Sequence, residues 1–121
     1  MEEMVKFFLQ FQTSLQIYHW RTKDFARHKA TDKLYTSLQE KIDKFVETML
    51  GSRQKNLSPD AKKMSFEIIP CNDSNAMRNL LLPFQTYLEN LKVKKTETDL
   101  INLRDEMISD IHQALYLFTL H

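Results

Sequence analysis

Residues 24–51 read DFARHKATDKLYTSLQEKIDKFVETMLG, and this stretch decides the fold. Its apolar residues recur at intervals of three and four, which is the spacing along one face of an α-helix. Asp24 is a favourable N-cap residue, and Gly51 is typical of the position just after a helix. We therefore predict one long helix from Asp24 to about Leu50. Its predicted core face consists of Leu34, Leu38, Ile42, Phe45 and Met49.

The same periodicity predicts three further helices, over about residues 2–20, about residues 74–92 and from Thr96 to about 119. Thr96 and Asp99 have the spacing of a capping box at the start of the last helix. Pro83 interrupts the third pattern, so we expect that helix to bend or to begin later. The predicted core faces are Met4, Phe8, Phe11, Leu15 and Tyr18; Met77, Leu80, Leu81, Phe84, Leu88 and Leu91; and Leu100, Leu103, Met107, Ile111, Ala114 and Phe118.

The lengths of the connections predict how the four helices are arranged. The links after the first and third helices are short, so each of these pairs must form an antiparallel hairpin. About 22 residues separate Gly51 from Asp73, enough to travel the length of the long helix, about 35 Å. A simple up-and-down bundle would need only a short link there. We therefore predict one all-α domain over residues 1–121, a ferritin-like four-helix bundle with a long crossover between helices two and three.

Composition and charge exclude several classes of protein. The chain has one glycine, three prolines and one cysteine, a balance that favours helices and offers no internal disulfide. Cys71 without a partner suits a reducing compartment, so we expect a cytoplasmic location. The opening MEEMVKFFLQFQ lacks the basic start of a secretory leader, and no apolar run approaches the ~18 residues of a membrane span. The net charge is +1 and the basic cluster at Lys92, Lys94 and Lys95 is short, so nucleic acid is not an expected partner.

A stripe of polar residues lies beside the apolar face of the long helix. It contains two pairs with i, i+4 spacing, His28 with Asp32 and Asp43 with Glu47, and the members of each pair are neighbours on the helix surface. Imidazole and carboxylate groups together suit iron, manganese or zinc. The alternative is that each carboxylate forms an ordinary surface ion pair, worth only tenths of a kcal/mol, with a nearby lysine. The nearby lysines are Lys29, Lys33, Lys41 and Lys44.

The distance between the two pairs restricts the kind of site that they can form. Asp32 and Asp43 are eleven residues apart, about 16 Å along a helix axis, so one helix cannot place both pairs around one metal ion. A second copy, packed antiparallel about a two-fold axis near residues 37–38, would place each pair opposite the other and create two equal sites. His19 is close to His28 through the short hairpin and could add a second imidazole. Its alternative is a histidine at the edge of the core, bonded to a carbonyl.

Nine positions in the first half of the chain resemble the Dps proteins, mini-ferritins that store iron in small hollow shells. In that family a His-Trp pair ends the first helix, and a His-x3-Asp and an Asp-x3-Glu supply a di-iron ferroxidase site across a dimer interface. The resemblance implies that His19, His28 and Asp32 of one subunit bind iron. Asp43 and Glu47 would come from the partner subunit, and Trp20 would be the aromatic that absorbs oxidising equivalents. The matching positions are Tyr18, His19, Trp20, Phe25, His28, Asp32, Tyr35, Asp43 and Glu47.

The resemblance implies a protein that binds, oxidises and stores ferrous iron and so counters oxidative stress. Dioxygen or peroxide would be the oxidant, other divalent metals could use the same ligands, and a two-fold dimer or larger shell of the same chain would be the assembly. Glu106 and Asp110 are candidates for carboxylates that nucleate mineral. The string YHWRTKDFARHKA also resembles ferritin-like proteins of phages and large DNA viruses, so a virion is the alternative location. The alternative function is a non-catalytic helical bundle with a structural or interaction role.

Overall fold

Each of the four apolar stripes is the buried face of an α-helix in the computed structural model, which describes residues 1–58, 63–70 and 74–120 except the side chains of Ser74 and Ala76. The predicted all-α class is confirmed, since this part of the chain contains no strand. None of its helices combines the length and apolar character that a membrane span needs. The helices are α1 (Glu2–Arg21), α2 (Phe25–Ser52), α3 (Ser74–Glu89) and α4 (Thr98–Leu117).

The N-terminal end of α2 agrees with the sequence prediction, and the C-terminal end does not. The Asp24 carboxylate accepts a hydrogen bond of 3.1 Å from the backbone N–H of Arg27, which confirms the predicted N-cap. Gly51, predicted to stop the helix, lies inside it, so that prediction is wrong. The left-handed residue after this helix is instead Gln54, with φ 53°. The carbonyls of the last turn are capped by backbone N–H groups that follow, including the N–H of Arg53 on Met49 O at 3.0 Å.

The predicted ends of α3 and α4 also need correction. α3 continues through the exposed Pro83 and ends at Glu89 rather than near residue 92. The capping box of Thr96 with Asp99 is wrong, because the N-cap of α4 is Glu97 and its side chain does not cap the helix. Two residues predicted on the core faces lie just beyond helix ends and are half-buried: Leu91 and Phe118.

Four buried phenylalanines form the centre of the core. Phe11 stacks face to face on Phe84, with ring centroids 3.8 Å apart and planes 8° apart. Phe8 meets both Phe45 and Phe84 edge-on, each with centroids 6.0 Å apart. Because Phe8 and Phe11 belong to α1, Phe45 to α2 and Phe84 to α3, this cluster joins three of the four helices. Such aromatic contacts add to the stabilisation that apolar burial supplies.

The direction of each helix follows from pairs of contacts. Three helix pairs are compared: α1 with α2, α1 with α3, and α2 with α4. In each pair, the contacting residues have rising numbers on one helix and falling numbers on the other, so the two helices are antiparallel. Because α1 is antiparallel to both α2 and α3, α2 and α3 run parallel. The predicted long crossover is therefore confirmed, and α2 packs on α1 and α4 in the described part of the chain, not on α3. The contact pairs are Phe8 with Phe45 and His19 with Thr31, Phe7 with Tyr87 and Phe11 with Phe84, and Arg53 with Glu97 and Lys41 with Asp110.

The described parts of the connection from α2 to α3, residues 53–58 and 63–70, lie along α1. The backbone N–H of Ser58 donates to the Glu2 carboxylate at 2.9 Å, at the start of α1. Further along the connection, the Gln10 side chain donates to a backbone carbonyl of this segment, that of Glu67, at 2.9 Å. The hydroxyl of the buried Ser14 accepts from the N–H of Ile69 at 2.9 Å. The described residues of the connection thus contact α1 at its first turn and at its middle.

Candidate metal centre

His19 and His28 face each other across the α1–α2 hairpin. Their rings are stacked, with centroids 3.9 Å apart and planes 18° apart, and both residues are half-buried. His19 is in the last turn of α1 and His28 in the first turn of α2, with only three residues between the helices. The closeness of the two imidazoles that the short hairpin predicts is therefore confirmed.

Hydrogen bonds hold each ring by its Nδ1 atom. His28 Nδ1 lies 3.0 Å from the carbonyl oxygen of His19, and since a carbonyl only accepts, this nitrogen carries the proton. His19 Nδ1 lies 3.0 Å from the hydroxyl oxygen of Thr31. That hydroxyl has its own proton directed to the carbonyls of Arg27, at 2.8 Å, and His28, at 3.1 Å. It must therefore accept from His19, so both neutral rings carry their proton on Nδ1 and present a lone pair on Nε2.

This arrangement is typical of metal-binding histidines. A ligating imidazole commonly donates its second N–H to a protein oxygen, which sets the tautomer and the orientation of the ring. The alternative predicted for His19 from the sequence was a hydrogen bond to a carbonyl oxygen, and His19 does not form that bond. The carbonyl bond belongs to His28, and His19 bonds to Thr31 instead.

The three candidate carboxylates lie on the surface of α2. Asp32, Asp43 and Glu47 are exposed, and none of them forms an ion pair with another described residue. Lys41, one of the lysines expected to neutralise them, contacts the carboxylate of Asp110 on α4 at 2.7 Å. The predicted alternative of local ion pairs is therefore not what this part of the chain shows. These carboxylates keep their oxygens available to an external cation.

The five candidate ligands do not meet within one chain. No three His, Cys, Asp or Glu side chains of the described residues are placed to hold one metal ion. The His19–His28 pair is thus half of a site at most, and Asp43 lies about 22 Å from His28 along the axis of α2. Any centre that uses both ends of the polar stripe needs ligands from a second molecule.

The surface around Asp43 is open and partly apolar. A shallow groove of about 250 Å³ runs beside it between α1 and α2. Leu9, which lines this groove, is 39% exposed, and Trp20, three turns later on the same side of α1, is 66% exposed. We call this surface the α1–α2 face, and it comprises Val5, Leu9, Gln12, His19, Trp20, His28, Asp32, Thr36, Gln39, Asp43, Val46 and Glu47.

Comparison with known proteins places the chain in a family. Its residues 19–118 match DUF5856, a family of unknown function. The chain belongs to this DUF5856 family. The matched range begins at His19 and includes all five candidate ligands.

A curated relative of this DUF5856 protein is found in Enterobacteria phage T4. It is described as an uncharacterized 14.6 kDa protein in the mobD-ri intergenic region, and it is 40% identical over 58 residues. The aligned part is 46% of this chain and 45% of the relative, so the chain spans less than half of the relative's length. No solved structure matches.

Thr31 is a residue of the candidate site that the sequence did not point to. Its side chain is fully buried, and its hydroxyl accepts from His19 while donating to the preceding turn of α2. A threonine on the core side of an amphipathic helix is ordinary, so only the packing of α1 on α2 shows its role. The one signal in the sequence was its position three residues after His28, a spacing that makes the two residues neighbours on a helix surface.

Replacing Thr31 with valine is expected to remove the preference of the His19 ring for a single tautomer. Valine has a similar shape but cannot accept a hydrogen bond, so the proton would exchange between Nδ1 and Nε2 of His19. ¹⁵N chemical shifts of the imidazoles should then show a mixed tautomer for His19 and an unchanged one for His28. Thr31→Ser, which keeps the hydroxyl, is the matched control. Identical spectra for Thr31→Val and the native protein would remove this role.

Proposed function

We propose that this DUF5856 protein binds ferrous iron at a centre shared by two chains and oxidises it, in the manner of a Dps-type mini-ferritin. The observation that carries the proposal is the stacked pair of His19 and His28, both held by Nδ1 with Nε2 as the free lone pair. The exposed carboxylates on the same stripe of α2, without ion pairs in the described chain, support it.

The proposed dimer packs two α2 helices antiparallel about a two-fold axis near residues 37–38. His19, His28 and Asp32 of one chain then lie opposite Asp43 and Glu47 of the other, and symmetry produces two equal centres. The α1–α2 face suits this contact because it combines exposed apolar side chains, such as Leu9, with the polar stripe.

The proposed reaction takes one electron from each of two ferrous ions. With peroxide as oxidant, two ferrous ions, one hydrogen peroxide and two protons give two ferric ions and two waters. With dioxygen as oxidant, two ferrous ions, one dioxygen and two protons give two ferric ions and one hydrogen peroxide. Carboxylates favour the ferric product because they offset its additional positive charge. Trp20, 66% exposed beside His19 in sequence, is the proposed sink for stray oxidising equivalents.

The storage step has fewer structural candidates than the sequence suggested. Asp110 is engaged by Lys41 at 2.7 Å and by the Ser37 hydroxyl at 2.7 Å, so it is poorly suited to nucleate mineral. Glu106 is exposed on α4 and remains a candidate. We propose the host-cell cytoplasm as the location, with a virion as the alternative that the phage relative supports.

The proposed function is tested by ferrous iron oxidation with a double variant, His28→Ala/Asp43→Ala. Iron oxidation followed by absorbance should fall to the rate without protein, and metal content after purification without chelators should fall with it. The matched control is Asp105→Ala/His112→Ala, which removes one exposed histidine and one exposed carboxylate from α4. Equal rates for the double variant and the native protein would refute iron oxidation at this centre. A native mass that stays monomeric would refute a shared centre.

A second candidate function rests on apolar side chains at the hairpin end of the bundle. Trp20, Phe25, Tyr116 and Leu120 are exposed at the end where α1 and α4 finish and α2 begins. Such a surface favours a non-catalytic bundle that binds another protein. If iron oxidation is absent and only this surface affects assembly, the interaction role would replace the enzymatic one.

A further inference from the structure

A basic pocket lies at the other end of the bundle, where α2 ends and the chain turns from α3 to α4. It is an open depression of about 720 Å³. Its lining brings together two parts of the chain that are about forty residues apart, the end of α2 and the α3–α4 turn. The polar and charged residues of this basic pocket are Ser52, Arg53, Lys55, Lys92, Lys94, Thr96 and Glu97.

The basic pocket concentrates positive charge. Arg53 and Glu97 neutralise each other through two hydrogen bonds of 2.9 Å, so the three lysines determine its charge. Lys55, Lys92 and Lys94 are exposed and form no ion pair with a described residue. The whole chain carries a net charge of only +1. A local excess of three positive charges therefore creates an attractive potential for anions at this end.

The pocket is held in shape before any ligand arrives. Arg53 Nη2 also donates to the carbonyl of Lys92 at 3.0 Å, and the Glu97 carboxylate accepts from the N–H of Lys94 at 2.9 Å. The Arg53 guanidinium, together with that backbone N–H, lowers the pKa of Glu97 to about 2, so this pairing persists at neutral pH. One ion pair thus fixes the turn that carries two of the lysines against the end of α2. A preformed site loses less entropy when it binds.

The chemistry of the lining points to phosphate groups. Lysine ammonium groups bind phosphates as compact charges, and the Thr96 hydroxyl adds a donor. The lining contains no aromatic side chain on which a base could stack. The acidic first turn of α1, with Glu2 and Glu3, lies at the same end of the bundle and adds negative charge there. These features favour a compact anion over a long nucleic acid.

We propose that the basic pocket binds a compact anion with several linked phosphate groups, of the tripolyphosphate class. Such a chain is longer than one phosphate and carries more negative charge, so it can engage lysines from both parts of the lining at once. Inorganic polyphosphate and the triphosphate of a nucleotide share this chemistry. None of the five candidate iron ligands lines this pocket, so this proposal does not depend on iron binding.

The test is calorimetric titration of the metal-free full-length protein with inorganic tripolyphosphate, ATP and orthophosphate. Tripolyphosphate should bind more tightly than orthophosphate, and its affinity should weaken as salt is added. If ATP binds as tightly as tripolyphosphate, the triphosphate alone is recognised; if ATP binds more tightly, a nucleotide is the source. Absence of tripolyphosphate binding, or an affinity no better than that of orthophosphate, would overturn the proposal.

Two triple variants with the same change of charge complete the test. Lys55→Gln/Lys92→Gln/Lys94→Gln removes the charges of the pocket and should weaken tripolyphosphate binding about tenfold or more. Lys6→Gln/Lys23→Gln/Lys44→Gln removes three exposed charges elsewhere and should change the affinity less than about twofold. All six positions are exposed, so thermal melting should confirm that both variants fold. Equal losses in both variants would show only non-specific attraction and would overturn the proposed site.

Discussion

Mixing His28→Ala chains with Asp43→Ala chains is expected to restore iron oxidation that neither variant has alone. In a dimer of one chain of each kind, one centre lacks both ligands. The other centre takes His28 from the second chain and Asp43 from the first, and it is complete. Random pairing makes half of the dimers mixed, with one complete centre of two, so about a quarter of the native activity should return.

The matched control for this mixture is His28→Ala with Asp32→Ala. Both residues belong to the same half-site, because they are one turn apart on α2. Each centre in a mixed dimer then lacks one ligand, and no activity should return. Iron oxidation would be measured after the chains are unfolded together and refolded. Recovery in neither mixture would show that the two halves do not come from different chains.

Phe11→Ala is expected to cause the largest loss of stability of any single substitution considered. Phe11 is 1% exposed and stacks on Phe84 at 3.8 Å, in the cluster that joins three helices. Removing a buried phenylalanine ring forfeits its burial and leaves a cavity, which costs about 3–5 kcal/mol. Urea denaturation should show a lower free energy of unfolding by this amount.

Phe25→Ala is the matched control for the core substitution. Phe25 is 72% exposed, although Lys29 lies 5.6 Å from its ring centroid. The same change of side chain should therefore alter the free energy of unfolding by no more than about 0.5 kcal/mol. Similar losses for both substitutions would contradict the central position of the Phe11–Phe84 stack.

The helices and their core faces could be predicted because helical periodicity is a local property of the sequence. All five residues predicted on the core face of the long helix are buried, from Leu34 to Met49. The crossover was predictable for a different reason, since the length of one connection excluded the simpler topology. Both inferences need only the order and spacing of residues along the chain.

The helix ends were less predictable because they depend on distant partners. Glu97 does not cap α4, since its carboxylate binds Arg53, which is 44 residues away in sequence. Gly51 was expected to end α2, but the left-handed position falls at Gln54, three residues later. Neither partner nor backbone conformation is encoded by a local pattern.

The candidate site also has some features that a local pattern predicts and others that depend on distant contacts. The closeness of His19 and His28 follows from a three-residue hairpin, and it was expected. The role of Thr31 depends on how α1 packs on α2, and the pairing of Asp110 with Lys41 joins residues 69 apart. The partner chain that the proposed centre requires is a property of an assembly, which a single sequence indicates only through spacing.

The long crossover between the two helical hairpins has a consequence for the order of folding. Contacts within the α1–α2 hairpin join residues close in sequence at its turn, such as His19 and His28, whereas Ser37 and Asp110, which join α2 to α4, are 73 residues apart. Closing the longer loop costs more chain entropy, and non-local contacts slow folding. We expect the α1–α2 hairpin to form early and its docking on the α3–α4 hairpin to limit the rate of folding. All five candidate ligands would then be in place before the core closes.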